Sequence, residues 1–557
     1  MACNRRRLSV QINPDRLGDG LAMTRRDWIS TIGIGAAVAV PAYAAEKPVR
    51  CTVLDDRGAP VPVEALARFY ICDLLLRPSP IDPKFAPGEA VFDPIGKPFR
   101  ISVPLRVPGF GHVFLYADNR GAGYTSASLA GNDGLLLNYE FAVDRLATVR
   151  RLADQCRSSG VVIAASTERR VMAGAELLRK ADTARKDRPA CARASMESLR
   201  ESLWAGKELV LERARQRIAK QGPRPGFLFG CNAFQFATGQ DWYRERYAGL
   251  FNYATLPFYR GWVEQIHGKP DYSAPDAILN AMVGKRIMVK GHPLIFLVPD
   301  STPEWLKNRS FGETKSLCVS HVREAISRFR ERIHVWDVIN EAHVQPDIFT
   351  NKMAGFTREQ NVELTVAALR AARETDPTCY RVVNSTGTWT DYYMGRKPEP
   401  WQQSVYDYLA MVSDAGGDDE AVGLQYYHSG RDMLEFERNL ETFQGFGKAV
   451  HLTEAGISSS SEDVPKTEWW GGGIGGARFV WHGTEFAETS QADWFEQFYT
   501  IAYSKPWIFA VSTWDLADPA FIPHGGLVYR FNKTYSRENV CDTLGPWRAS
   551  PSVRGWL

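Results

Sequence analysis

From Gly226 onward the chain repeats one pattern eight times: a short apolar run, then a stretch with helical periodicity. The runs are GFLFGCNAF, GLFNYAT, RIMVKGHPLIF, HVWDVINEA, TCYRVVNST, AVGLQYYH, AVHLTEAGI and WIFAVSTWDLA, with amphipathic stretches such as TREQNVELTVAALRAARETD between them. Strands apolar on both faces belong in a parallel sheet covered on both sides, and eight such units fit a (β/α)8 barrel. In that geometry chemistry sits at the C-terminal strand ends, so polar residues closing apolar strands stand out. The fourth strand ends on Asn340-Glu341-Ala342-His343 and the seventh on Thr453-Glu454. Burying an ionised carboxylate costs several kcal/mol unless it is paired or hydrogen-bonded, so a lone Glu there reads as half of a salt bridge. Two Glu facing one mouth read differently. One can protonate a glycosidic leaving oxygen while the other attacks the anomeric carbon.

The remaining chain divides into three zones. Within residues 1–44, Thr24-Arg25-Arg26-Asp27-Trp28-Ile29 precedes the apolar run IGIGAAVAVPAYA, which ends in the small-residue site Ala42-Tyr43-Ala44. This is the pattern of a twin-arginine export signal, on a run too short for a permanent membrane span, so a periplasmic or extracellular location is expected. The upstream polar residues 1–22 make Met23 an alternative start. Residues 45–135 carry RCTVLDD, RFYICDLLL, FRISVPLRV and HVFLYADN, which predict a small β-sandwich-like domain and a candidate carbohydrate-binding module. Residues 136–222 change period: Leu146, Val149, Leu152 and later Met196, Leu199, Leu203 predict a helical connector with a solvated basic face. Residues 223–557 hold the barrel and a C-terminal tail.

Net charge of +3 on 557 residues gives no case for a nucleic-acid partner. The cysteines form no CxxC pair and no zinc-ligand spacing, so buried free thiols are expected. No HExxH, P-loop or EF-hand pattern occurs, and no metal or cofactor is expected. Gly471-Gly472-Gly473-Ile474-Gly475-Gly476 follows Glu468-Trp469-Trp470 rather than a strand, and reads as a mobile loop. The expected partner is an oligosaccharide or polysaccharide, bound by a monomer.

Five motifs, in order, carry a resemblance. WDVINEA is similar to WDVVNEA, the acid/base motif of glycoside hydrolase family 10, the endo-β-1,4-xylanase family, and HLTEAGI is similar to its nucleophile motif ITELDI. KGHPLIF followed by PEW resembles RGHTLVWH and PSW, GLQYYH resembles GIGLQSH, and STWDLAD resembles TWWGVTD. The resemblance implies that Glu341 is the acid/base and Glu454 the nucleophile of a retaining mechanism. It further implies that Asn340 holds the sugar 2-hydroxyl and that His292, Gln425 and Trp514 line the subsite at the cleaved bond. Phe296, Tyr427 and His428 stand at the remaining substrate-binding positions. Taken singly, His292 reads as a core histidine and Trp514 as a packed aromatic. His334, inside strand four, reads as a packed histidine.

The departures are concentrated. Where the family has TPENEMKW, this chain has Thr255-Leu256-Pro257-Phe258-Tyr259-Arg260-Gly261-Trp262, losing the Glu, Asn and Lys that contact the sugar beyond the cleaved bond. The WH after strand three is Phe296-Leu297. ITELD has become Thr453-Glu454-Ala455-Gly456, so the Asp that couples to the QSH histidine is missing; Tyr427 stands in that histidine's place and His428 lies one residue on. Leaving a buried donor or acceptor unpaired costs about 1–3 kcal/mol, so joint alteration of the two partners points to a rebuilt neighbourhood. Leu256 to Gly261 are expected to line the distal sugar subsite with apolar surface, a substituent resting on Phe258, Tyr259 or Trp469-Trp470. Two functions remain open: a secreted retaining glycosidase acting on xylan-type or decorated β-glycan, and a catalytically weak or inactive barrel that binds glycans.

Overall fold

The structure, a computed structural model, describes residues 47–129, 134–344, 356–389, 403–427, 430–460 and 487–518, residues 521 and 524–529, and the strand pairs 473–474 and 477–478. The export-signal pattern, His428 and Trp469-Trp470 lie outside the described residues. Within the glycine-rich run, Gly473–Ile474 pairs antiparallel with Ala477–Arg478.

All eight expected strands form: β1 (Leu228–Asn232), β2 (Tyr253–Pro257), β3 (Met288–His292), β4 (Val335–Asn340), β5 (Tyr380–Ser385), β6 (Ala421–Tyr426), β7 (Ala449–Ala455) and β8 (Ile508–Ser512). They pair in parallel in chain order, and β8 closes on β1 through Ala510 opposite Leu228. The barrel interior is layered. Leu228, Tyr253, Val335, Val382, Ala421 and Ala510 form an apolar floor. Above them Lys290, Asp337 and His451 are wholly buried, and the polar strand ends lie above those.

A register shift between Asp337 and Ile339 of β4, against β5, resets the side-chain parity. Strict alternation from the inward Asp337 would turn Asn340 outward. With the extra residue, Val338 and Ile339 both join the outer core and Asn340 faces inward. Trp336 points outward from the same strand and explains Gly291 of β3. A Cβ at Gly291 would lie 2.1 Å from the Trp336 ring, so no larger residue fits without displacing the indole.

Upstream of the barrel lie two small sheets. One orders its strands 84–86, 89–92, 49–52 and 135–136; the other comprises 70–72, 100–107 and 111–117. Their core takes in Leu137 and Phe141 of α1 (Leu137–Ser158) and Met196, Leu199 and Leu203 of α3 (Arg188–Gln221), while α2 (Ala165–Thr183) packs alongside. α3 does more than connect. Its second half sends Ala205, Leu209, Val210 and Leu211 into the barrel core, so one helix is shared by two apolar cores.

The sheets also reach the loop after β6. The Phe114 N–H donates to the Gly430 carbonyl at 2.9 Å. The buried Arg431 lays its guanidinium 3.5 Å from the Phe114 ring centre, and its Nε donates to the Tyr116 hydroxyl at 2.7 Å. Helix α4 (Met433–Gln444) follows, held by buried ion pairs of Asp432 with Arg145 and Glu435 with Arg100 at 3.8 Å, and by a partly buried pair of Arg438 with Asp118 at 3.3 Å. Breaking such a pair is costly, about 3–5 kcal/mol, because it strands a buried charge. The seven cysteines among the described residues are all buried, and no disulfide joins any two of them. His334, expected to be packed, is exposed, because it lies just before β4 begins.

Candidate active site

The two strand-end glutamates meet. Gln425, closing β6, donates from Nε2 to Glu341 Oε1 at 2.8 Å and to Glu454 Oε1 at 3.0 Å. Those two bonds laid end to end set an upper limit on the separation of the two oxygens. That limit lies near the about 5–5.5 Å of retaining glycosidases and short of the about 6.5–9.5 Å of inverting ones. Glu341 reaches this position through backbone strain: its φ is +52°, a left-handed conformation costing on the order of 1–2 kcal/mol in a non-glycine residue. The Glu341 N–H, donating to the Asn384 carbonyl at 2.9 Å, holds it there.

Hydrogen bonding separates the two carboxyls. Glu454 accepts from Asn384 Nδ2 at 2.9 Å and Gln425 at Oε1, and from the Tyr427 hydroxyl at 2.6 Å at Oε2. Its Oε1 also lies 3.9 Å from His292 Nε2. Glu341 accepts the Gln425 bond at Oε1, while its buried Oε2 has no hydrogen-bond partner among the described residues. Burial pushes Glu341 up to about 7, partly opposed by the Gln425 and Asn340 amides. Burial likewise pushes Glu454 up to about 7; His292 opposes it, the Glu341 carboxylate adds to it, and the Tyr427 hydrogen bond opposes it. Two such neighbours share one proton at neutral pH. The donors gathered on Glu454 favour its ionised form, so the proton belongs on Glu341, whose Oε2 has no hydrogen-bond partner among the described residues.

The other expected residues are drawn in around this pair. Asn340 Oδ1 accepts from Asn384 Nδ2 at 2.8 Å. His292 Nδ1 is 2.7 Å from Asp337 Oδ2, and its Nε2 is 3.1 Å from the Tyr259 hydroxyl. Asp337 is buried, which pushes its pKa up, but Lys290 at 2.6 Å and His292 outweigh that and hold it at about 2. An ionised Asp337 fixes a proton on His292 Nδ1, and the Tyr259 hydroxyl stands at Nε2. Trp514 sets its ring edge-on to His292, centres 5.2 Å apart.

No sequence pattern marks Asn384, which bridges Asn340 and Glu454 and accepts from the Thr453 hydroxyl at 2.5 Å. A single Asn ending one strand becomes conspicuous only when the barrel closes. Phe234 was missed as well. Its ring stands edge-on to Tyr259, Trp262 and Trp514, with centres 6.1, 6.1 and 5.7 Å apart. Tyr259 and Trp262 lie 4.6 Å apart, the half-buried Phe296 is 6.3 Å from Tyr259, and Trp262 is half exposed.

Part of the expected subsite wall is corrected. Leu256 and Phe258 are wholly buried, and Phe258 packs outward against Trp336 and Phe329 at 4.9 and 5.1 Å. Strand alternation sends both to the helix side, so the aromatic wall consists of Tyr259, Trp262, Phe234 and Phe296 instead. Gly261, where the family pattern has Lys, has the Ser301 backbone 3.0 Å from the place a Cβ would take. The described residues contain no cluster of three or more His, Cys, Asp or Glu arranged to hold a metal ion.

Comparison with known proteins gives four matches. The sequence model of Glycosyl hydrolase family 10 matches residues 260–537. Endo-1,4-beta-xylanase B of Thermotoga neapolitana is 24% identical over 259 residues, 45% of this chain and 66% of that protein. Endo-1,4-beta-xylanase B of Paenibacillus barcinonensis is 24% identical over 217 residues, 37% of this chain and 62% of its own length. The chain thus spans just under two thirds of these relatives. A solved family 10 structure from Paenibacillus barcinonensis overlays with a TM-score of 0.44 at 18% identity, covering 60% of this chain and 97% of that one. The family match begins at Arg260, downstream of β1 and β2, where the sugar-contacting motif is altered.

Proposed function

The chain belongs to glycosyl hydrolase family 10, and on that premise we propose that it is a retaining glycoside hydrolase of β-linked polysaccharide. One observation carries the reading: a single amide, Gln425, spans two carboxyls of opposite hydrogen-bonding character. Glu454, ionised and held by Asn384, Gln425 and Tyr427, attacks the anomeric carbon as Glu341 passes its proton to the leaving oxygen. The carbon–oxygen bond of the leaving group breaks and a glycosyl ester forms on Glu454. Once Glu454 is esterified its charge is gone, and Glu341, now a carboxylate, takes a proton from water. That water attacks the anomeric carbon and frees Glu454 with the configuration retained. Asn340, whose Oδ1 is tied to Asn384, is oriented to present its amide N–H to the sugar 2-hydroxyl.

The curated relatives are named endo-1,4-beta-xylanases, which supports a xylan-type β-1,4 backbone. The aromatic wall supports a decorated or related glycan over a bare one. The twin-arginine pattern supports export to where such glycans occur. The test is labelling by a 2-fluoro-β-glycoside with a good leaving group, read by peptide mass spectrometry. A stable adduct on Glu454 supports the reading. Binding of oligosaccharides without any adduct or turnover would establish the alternative, a barrel that only holds glycans.

A further inference from the structure

Tyr427 occupies the place where the family pattern puts a histidine, and Gly456 the place of that histidine's aspartate. The structure shows why the two exchanges go together. An imidazole that donates to a carboxylate through one nitrogen leaves the other needing a partner, which an aspartate supplies. A phenol has one O–H and needs no second partner. Tyr427 is almost fully buried against Trp514 and Phe234, and its hydroxyl donates to Glu454 Oε2 at 2.6 Å. The Gly456 N–H turns back to the Tyr426 carbonyl at 3.3 Å.

We propose that Tyr427 is a positioning residue for Glu454, its single hydroxyl replacing a histidine–aspartate pair and holding Oε2 of the nucleophile. The inference rests on the hydrolase reading for its functional meaning, but its geometry does not. Burial and the facing Glu454 carboxylate raise the Tyr427 phenol far above its ordinary range, so it stays a donor wherever the protein is folded. The groups facing Glu454 are Glu341 just beyond β4, His292 and Lys290 on β3, Asn384 on β5, Gln425 on β6 and Tyr259 beyond β2; Asp515, beyond β8, faces Tyr427. Within this set Tyr427 supplies the hydrogen bond to Oε2.

The experiment titrates the Glu454 carboxyl by 13C NMR in glutamate-labelled full-length protein, with Glu454→Gln assigning the signal, alongside the pH profile of kcat/KM. Tyr427→Phe should raise the Glu454 midpoint and the acid limb of the profile together by about one pH unit, since a hydrogen bond to a charged group is lost. Tyr427→Met is a second donor-less variant, and whichever of the two keeps the wild-type unfolding temperature is read. Tyr427→His alone should add a new ionisation between about pH 5 and 8. Tyr427→His with Gly456→Asp should bring the midpoint back toward the wild type. A Glu454 midpoint unmoved in the donor-less variants overturns the proposal even if the enzyme turns over. A midpoint that moves in a protein without turnover sustains it and removes the hydrolase reading instead.

Discussion

The two sides of the barrel mouth are built from different chemistry. At the ends of β4 to β7, Asn340, Glu341, Asn384, Gln425 and Glu454 form a connected set of amides and carboxyls, each oriented by another. At the ends of β1 to β3, Phe234, Tyr259, Trp262 and Phe296 form a wall of rings, and the Tyr259 hydroxyl is engaged with His292. In the proposed function the first side carries bond cleavage whatever the sugar. The second is where hydroxyl patterns would be read. A polar site rejects a wrong hydroxyl strongly because its own groups are left unpaired, whereas an apolar site discriminates weakly and relies on stacking. Within one mouth the carboxyl pair keeps the family pattern while the ring wall departs from it.

The comparison breaks most sharply at the carboxyls. Glu454→Gln should lower turnover of every glycoside by at least about 10⁴-fold, since an amide forms no glycosyl ester; near-normal rates would remove the nucleophile assignment. Glu341→Ala should cost natural glycans on the order of 10²–10⁴-fold and aryl glycosides with good leaving groups far less. Equal loss on both would show that Glu341 is not the acid. With its carboxyl pushed up to about 7, wild-type kcat/KM should fall above pH 7 as the proton is lost, and that basic limb should vanish in Glu341→Ala.

Asn384→Ala tests whether the polar side works as a set. Losing its bond to the charged Glu454 should cost roughly 10- to 100-fold in kcat on all substrates alike. The aromatic side should answer differently. Trp262→Ala should cost about tenfold or less, in KM rather than kcat, on long glycans and not on aryl monosaccharides. Linear xylohexaose compared with substituted xylans and glucans sharpens the same point. If the linear substrate is cleaved at about 10⁴ M⁻¹s⁻¹ or more and beats the others, the ring wall is not reading decoration.

The smallest effect is on stability. A buried carboxyl whose pKa is raised on folding contributes most below its unfolded value of about 4.3, and that contribution is lost as pH rises through about 7. Glu341→Gln should therefore be more stable than the wild type above pH 7, by on the order of 1 kcal/mol in denaturant unfolding, with the gap closing toward pH 5.

The barrel was legible because parallel strands covered on both faces leave apolar runs that no solvent-facing strand would show, and the two glutamates stood out as exceptions at their ends. Parity was harder. Asn340 and Asp337 lie an odd number of residues apart yet both face inward, which only the bulge in β4 explains. Phe258 was placed in the sugar wall because it aligns with a sugar-contacting Asn, but alternation sends it behind the barrel. Asn384 carries no local pattern, and its role exists only across three strands. The upstream sheets were read as strands from their composition, while their dependence on α1 and α3 for a core could not be read from short runs alone.

The Arg431 anchor bears on how this protein can be cut and recombined. The guanidinium of a loop that leaves β6 beside the reacting centre is seated on Phe114 and Tyr116, more than three hundred positions earlier in the chain. A chimera joining this barrel to a different leader would leave that cation buried without its acceptor, and the disturbance would begin four residues from Tyr427. A barrel without an arginine at this position, grafted behind these sheets, would leave the converse mismatch, a socket without its cation. Substitutions at Phe114 or Tyr116 are therefore changes to the mouth of the barrel, however far they lie from it in sequence.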